Sequence, residues 1–230
     1  DADEGVLADI EFAKVDVSDG SIGPFATSAV SINQRWGLSV PVSNSYAYVI
    51  GGCDDGDSPT CNSDGLQPVV QTFQIYNNDS GSPASYSTAA HTYGTNPNRI
   101  GASATILNGY IYMAGGCTST TDCTNAVSTV SYASIDANGN LGTWSDATAT
   151  LPAARAWGTL EAAGGTLYYM GGQDSSGASQ AQIYYGTPSS GNVSTWGTAS
   201  HGLPQNLTKF GAAVWNNRLY VLGGVNQNGG

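Results

Sequence analysis

The strongest constraint in this sequence is a doubled glycine that closes a short apolar run four times: Tyr48-Val-Ile-Gly51-Gly52, Tyr112-Met-Ala-Gly115-Gly116, Tyr168-Tyr-Met-Gly171-Gly172 and Tyr220-Val-Leu-Gly223-Gly224. Each time a tyrosine stands three residues before the first glycine. The copies recur every 52 to 64 residues. Self-similarity at such a period marks a propeller, a solenoid or an array, in which each unit buries its apolar faces against its neighbours.

The apolar run reads as the second strand of a hairpin. Just upstream lie Asn44-Ser45, Asn108-Gly109, Gly164-Gly165 and Asn216-Asn217, residue types that tolerate the positive φ required by two-residue hairpin turns. Inner hairpins are therefore expected near residues 37–52, 101–116, 158–172 and 211–224. Each is entered through a cation and then a glycine: Arg35 with Gly37, Arg99 with Gly101, Arg155 with Gly158, Lys209 with Gly211. A ring of positive charge at one mouth of a channel is one use for such cations. The simpler expectation is that all four make the same hydrogen bonds between neighbouring units. An almost unbroken apolar strand such as Leu219 to Leu222 is covered on both faces. The glycines after it let the backbone turn sharply or approach a neighbour where any side chain would collide.

Between hairpins runs a more alternating strand pair with an aromatic residue in each strand: Phe12 and Phe25, Phe73 and Tyr86, Tyr132 and Trp144, Tyr184 and Trp196, each 12 or 13 residues apart. The chain holds four such outer pairs and four inner hairpins, beginning with a pair and ending with a hairpin. The two ends can then share one sheet and leave no open edge.

Charge excludes some partners. Six basic residues stand against 17 acidic ones, a net charge of −11 in 230 residues. Phosphate backbones and anionic membranes repel such a surface, so nucleic acid is not expected as a partner. No apolar run approaches the roughly 18 residues of a spanning helix, so membrane insertion is not expected either. The four cysteines fall as two close pairs, Cys53 with Cys61 and Cys117 with Cys123, each opening directly after a doubled glycine. Even numbers in matching loops read as local disulfides and so as an oxidising, extracellular or cell-surface compartment. A zinc site is the alternative, against which stand the wide spacings and the absence of a nearby histidine.

With these residues in place the unit resembles the kelch repeat, and the best-formed copy carries it on Arg155, Gly158, Tyr168, Gly171, Gly172, Tyr184 and Trp196. The resemblance covers nearly the whole chain. It implies an all-β single domain over residues 1–230, a β-propeller of four-stranded antiparallel blades around a central channel. The unit count gives four blades. A fragment of a six- or seven-bladed ring is the alternative, since kelch rings usually have that number. Chemistry is not implied, because propellers host binding modules, scaffolds and enzymes alike.

The expected function is an extracellular or cell-surface interaction or structural module without catalytic activity, with a protein or a glycan bound at a loop face. A carbohydrate-binding module is the alternative, and a propeller hydrolase or oxidase a more distant one. Ser134-Ile-Asp136-Ala-Asn-Gly139 resembles the Asp-box hairpin of sialidases, but its spacing to Trp144 differs and Ser-Asp-Gly turns are common hairpin tips. The two histidines, His91 and His201, read as surface loop residues. Loop lengths point to the binding face: from the second glycine to the next aromatic there are 21 residues after Gly52, 16 after Gly116 and 12 after Gly172. Enlarged loops on a rigid scaffold are where repeat proteins place recognition. The candidate contact residues are Asp54, Asp55, Asp57, Asp64, Thr118 and Asp122; no cofactor is expected, with calcium among the oxygen ligands of the 54–64 loop as the alternative. Asn78, Asn192 and Asn206 lie in glycosylation sequons.

Overall fold

The computed structural model describes residues 7–43, 45–54, 66, 70–75, 86–89, 98–118 and 123–227. Among them no helical turn occurs. The strands are β1 (Glu11–Phe12), β2 (Ala26–Thr27), β3 (Val42–Ser43), β4 (Tyr46–Val49), β5 (Val70–Gln74), β6 (Tyr86–Ala89), β7 (Ser103–Leu107), β8 (Tyr110–Ala114), β9 (Val130–Ser134), β10 (Ser145–Asp146), β11 (Thr159–Ala163), β12 (Thr166–Met170), β13 (Ile183–Gly186), β14 (Gly197–Thr198), β15 (Gly211–Trp215) and β16 (Arg218–Leu222). They form three four-stranded antiparallel sheets, β3-β4-β5-β6, β7-β8-β9-β10 and β11-β12-β13-β14, and two two-stranded sheets, β1-β2 and β15-β16. Each four-stranded sheet is one repeat unit, an inner hairpin followed by an outer pair. The expected turn residues carry the hairpins: Asn108, Gly109, Gly164, Gly165, Asn216 and Asn217 all have positive φ, while Asn44 lies outside the described residues.

Alternation along the second strand explains its unbroken apolar run. Ile111 and Met113 of β8 pack back against Tyr48, Ile50 and Val70 of the unit before. Tyr112 and Ala114, between them, pack forward against Leu160, Leu167, Tyr169 and Tyr184 of the unit after. The double glycine fastens one unit to the next through the backbone. The amides of Gly52, Gly116 and Gly172 donate to the carbonyls of Arg99, Arg155 and Leu207, at 3.0, 2.9 and 2.9 Å. A Cβ on Gly51 would lie 2.7 Å from the Arg99 carbonyl oxygen, and one on Gly171 2.7 Å from that of Leu207. Sterics thus require glycine at this position, besides its positive φ.

Two expectations are corrected by the register. The isolated bridges Trp36 with Cys53, Ile100 with Cys117, Ala156 with Gln173 and Thr208 with Val225 align Arg35, Arg99 and Arg155 with Leu207. Lys209 therefore does not occupy the fourth cation position. It is equivalent to Gly37, Gly101 and Trp157, the residue of left-handed backbone (φ 65, 64, 57 and 54°) two places later. The spacing of cation to glycine, two residues in the first two units and three in Arg155 to Gly158, concealed this shift.

The arginines, expected to bond between units, also make bonds within their own unit. Arg35 donates to the Gly51 carbonyl (3.1 Å) and to Gln71 Oε1 (2.9 Å). Arg99, fully buried, donates to the carbonyls of Gly115 and Thr129 and to Ser131 Oγ at 3.0, 3.1 and 2.8 Å. Arg155 donates to Tyr184 Oη (3.0 Å) and Gln182 Oε1 (3.3 Å). Each guanidinium thereby ties the start of the hairpin to the third strand of the same sheet.

The two half-sheets at the ends stand apart. β1–β2 is anchored by Ile10 and Ile32 on Ala47 and Val49 of the first complete unit, and β15–β16 by Leu207, Phe210, Ala212, Leu219 and Val221 on Met170 and Ile183 of the third. They form separate sheets, so the single shared sheet expected for the two ends is not present. Apolar side chains are accordingly bare at both, with Phe25 68 % and Leu222 64 % exposed.

Candidate interaction face

The left-handed residues of successive units meet around one axis. Gly101 N–H donates to Gly37 O (3.1 Å), Trp157 N–H to Gly101 O (2.8 Å) and Lys209 N–H to Trp157 O (2.8 Å). Residues 37–39, 101–103, 157–159, Lys209 and Phe210 line a common cavity of about 190 Å³. Trp157 reaches across it: its ring stacks on Trp36 with centroids 6.0 Å apart and planes 15° off parallel, and Lys209 Nζ sits 5.1 Å above it in a cation–π contact. A Cβ on Gly101 would come within 2.7 Å of the Trp157 ring, so glycine there makes room for the indole.

The disulfide between Cys117 and Cys123 forms as expected, with Cα atoms 5.2 Å apart. Trp157 Nε1 donates to Cys123 Sγ at 3.0 Å. Cys53 is disulfide-bonded as well, while its expected partner Cys61 lies outside the described residues. Cys53, Leu66, Ile100, Cys117, Cys123 and Ala156 form an apolar cluster under this face, with Trp36, Ala126 and Trp157 packed against it. The loops that follow the first two double glycines thus start from this cluster, which the stacked Trp36 and Trp157 join to the cavity. Sequence reasoning missed Trp36 and Trp157; their signal was a tryptophan one or two residues after the buried arginine.

Of the six candidate contact residues, Asp54 is exposed next to Cys53 and Thr118 is half-buried next to Cys117. Asp55, Asp57, Asp64 and Asp122 lie outside the described residues, and so does most of the calcium loop considered. Among the described residues no group of three or more histidine, cysteine, aspartate or glutamate side chains is placed to hold a metal ion. The third unit shows one use of the position Asp54 and Thr118 occupy, the second residue after the double glycine. There Asp174 Oδ1 accepts from Ser176 N–H and Oγ and from Ala178 N–H, at 2.8, 2.6 and 3.2 Å. Burial pushes the Asp174 carboxyl up, yet these bonds outweigh it and hold it below the usual carboxylate range.

The other acidic candidate, Asp136, accepts from the amides of Asn138 and Asn140 and from Asn140 Nδ2, which lowers its carboxyl pKa. Its turn is a structural joint: Tyr48 Oη donates to Gly139 O at 3.0 Å across the unit boundary. Asn192 likewise joins units, its Oδ1 accepting from Thr148 N–H at 2.8 Å, and His201 is an exposed loop residue. Burial pushes the Glu161 carboxyl up, but Glu161 does not line the axial cavity.

No protein-family model matches this chain, and no curated protein matches it. A search of solved structures matches it to the structure of YjhT, with a TM-score of 0.69 and 17 % identity over 98 % of this chain and 71 % of that one. Agreement at that identity concerns the fold alone.

Proposed function

We propose that the chain is an extracellular or cell-surface β-propeller module of the kelch-repeat kind, its four-stranded sheets serving as blades, which acts in protein interaction or assembly rather than catalysis. The observation that carries this reading is the disulfide-braced apolar cluster of Cys53, Leu66, Ile100, Cys117 and Cys123, from which the loops after Gly52 and Gly116 start. Recognition then falls to the loops rooted on the disulfide-braced cluster, whose ordering cost on contact a cross-link lowers. The oxidised cysteines agree with an extracellular setting, and no described helix is long and apolar enough to cross a membrane.

The test is to shorten the loops after Gly52 and Gly116 to the length found after Gly172 and to compare both proteins on a glycan array and in pull-downs from the cell surface. Loss of a protein partner, with unchanged far-ultraviolet circular dichroism, supports the interaction reading. Glycan binding that survives the shortening refutes the loop face and favours the carbohydrate-binding alternative.

A further inference from the structure

The strand register shows which side chain in each outer pair receives the buried arginine. The tyrosine three residues before the double glycine pairs with Thr72, Tyr132 and Tyr185 in successive units. The residue just before that partner is Gln71, Ser131 or Tyr184, and each accepts from the arginine of its own hairpin. The N-terminal half-sheet can be placed in the same frame. Phe12 pairs with Ala26 as Tyr132 does with Ser145 and Tyr185 with Gly197. The bonds that follow also match: Ser28 N–H to Ile10 O, Ala147 N–H to Val130 O and Ala199 N–H to Ile183 O. The arginine-accepting position of β1–β2 is therefore Glu11.

The hairpin β15–β16 carries no arginine to meet it, because its equivalent residue is Leu207. A sheet assembled from β15–β16 and β1–β2 would bring the Glu11 carboxylate out of water against a leucine, with no charge to pair it, which is strongly unfavourable. An arginine at that position would instead offer its planar fork to the carboxylate. The flank agrees: Val15, Ile22 and Phe25 occupy the positions of Ile135, Leu141 and Trp144, which pack on the preceding unit. All three are exposed at the N-terminal end.

We infer that the Glu11 edge of β1–β2 is a docking surface for an inner hairpin of a further repeat unit that bears an arginine at its entry, and not for β15–β16. In every complete unit the strand equivalent to β1 is met by the hairpin that carries this arginine, β5 by β4, β9 by β8 and β13 by β12, which sets the chemistry of the occupant. The two half-sheets then belong to different units. This deepens the propeller reading and rests on the repeat register, independently of what the loop face binds.

A copy of residues 153–182, the arginine-bearing hairpin and its linker, is placed directly ahead of Ile10 and compared with the same fusion carrying leucine at the copied Arg155. The arginine copy is expected to raise the melting temperature by about 4 °C or more and to slow amide exchange in β1 at least tenfold. The leucine copy should do neither unless Glu11→Leu is also made. In the unfused protein, Phe12→Cys with Tyr220→Cys, which would lie opposite each other in a shared sheet, should not cross-link in the monomer. Equal gains from both copies, no gain from either, or a cross-link between positions 12 and 220 overturns the inference.

Discussion

Arg99 shows how a charge is kept in the apolar interior. Its guanidinium is fully buried and bonds two carbonyls and a hydroxyl, so removing it takes a charged donor from the Gly115 carbonyl, from Thr129 O, which keeps the Gly115 amide, and from Ser131 Oγ, which keeps its bond to Asp146. Arg99→Met should cost about 3 kcal/mol or more, since hydrogen bonds to charged groups and unsatisfied buried acceptors each weigh that heavily. Lys209→Ala should cost less than about 1 kcal/mol, the worth of a partly exposed cation–π contact. Urea midpoints for the two variants check the ranking, which would reverse if Lys209 held the fourth cation position. The tyrosines that join units make a second residue-scale prediction. Burial pushes the Tyr48 hydroxyl up to about 12, and burial raises Tyr112 and Tyr169 as well. A folded-state pKa above that of the unfolded chain contributes stability that is fully present below about pH 10 and is lost as the pH rises through the folded value. Unfolding should therefore set in between pH 10 and 12, and Tyr48→Phe should weaken that dependence at the cost of the bond to Gly139 O. Melting temperatures from pH 8 to 12 measure both.

At the scale of the element, the hairpin is a strand pair whose exit is pressed against the next unit. Gly101 at its entry and the paired glycines at its exit show that both ends depend on what a side chain would strike. Gly101→Ala would carry a Cβ at φ 64° into the Trp157 ring, and strain of this kind costs about 1–3 kcal/mol. Thermal denaturation should show that loss together with a changed tryptophan fluorescence, because the indole must move. The Cys117–Cys123 loop is the second element with a definite expectation. Closing a loop this short contributes about 2 kcal/mol by chain entropy. Replacing both cysteines by serine should thus lower stability by that amount and alter the Trp157 environment while the sheets persist. Complete unfolding of the double variant would contradict the backbone bonds between successive units as the principal tie.

The molecule as a whole is a stack of units with two unfinished ends. Beside β16 a cavity of about 660 Å³, walled by Met170, Ile183, Leu203, Leu219 and Val221, marks where an outer pair would lie, as Tyr184 and Val193 lie against Val130 and Leu151 one unit earlier. Exposed apolar ends of this kind favour association. Phe25→Lys together with Leu222→Lys should reduce concentration-dependent light scattering and leave the circular dichroism spectrum unchanged. Loss of the fold in that variant would show that both ends are already packed.

The architecture was largely legible in the chain because its causes are local. A positive-φ turn at Asn108-Gly109, an apolar run without alternation and a glycine pair with no room for Cβ each act through neighbouring backbone, and their repetition marked every hairpin described. Cysteine spacing likewise pointed to the Cys117–Cys123 bond. What the sequence alone determined was thus the all-β unit, its order of hairpin then pair, and the residues buried between units in the first three hairpins; in the last, the strand Leu219 to Leu222 expected to be covered on both faces leaves Tyr220 and Leu222 exposed, because no described outer pair lies beside it. Only the tertiary structure decided the role of the third and fourth cation positions, where one residue more between Arg155 and Gly158 hid that Lys209 aligns with Trp157 and Leu207 with the arginines. Pairing register is settled by hydrogen bonds across strands far apart in sequence, and no local pattern reports it. The same reason left the cavity beside Trp157 unseen, since Trp36, Gly101 and Trp157 come from three units and meet only when the units pack together.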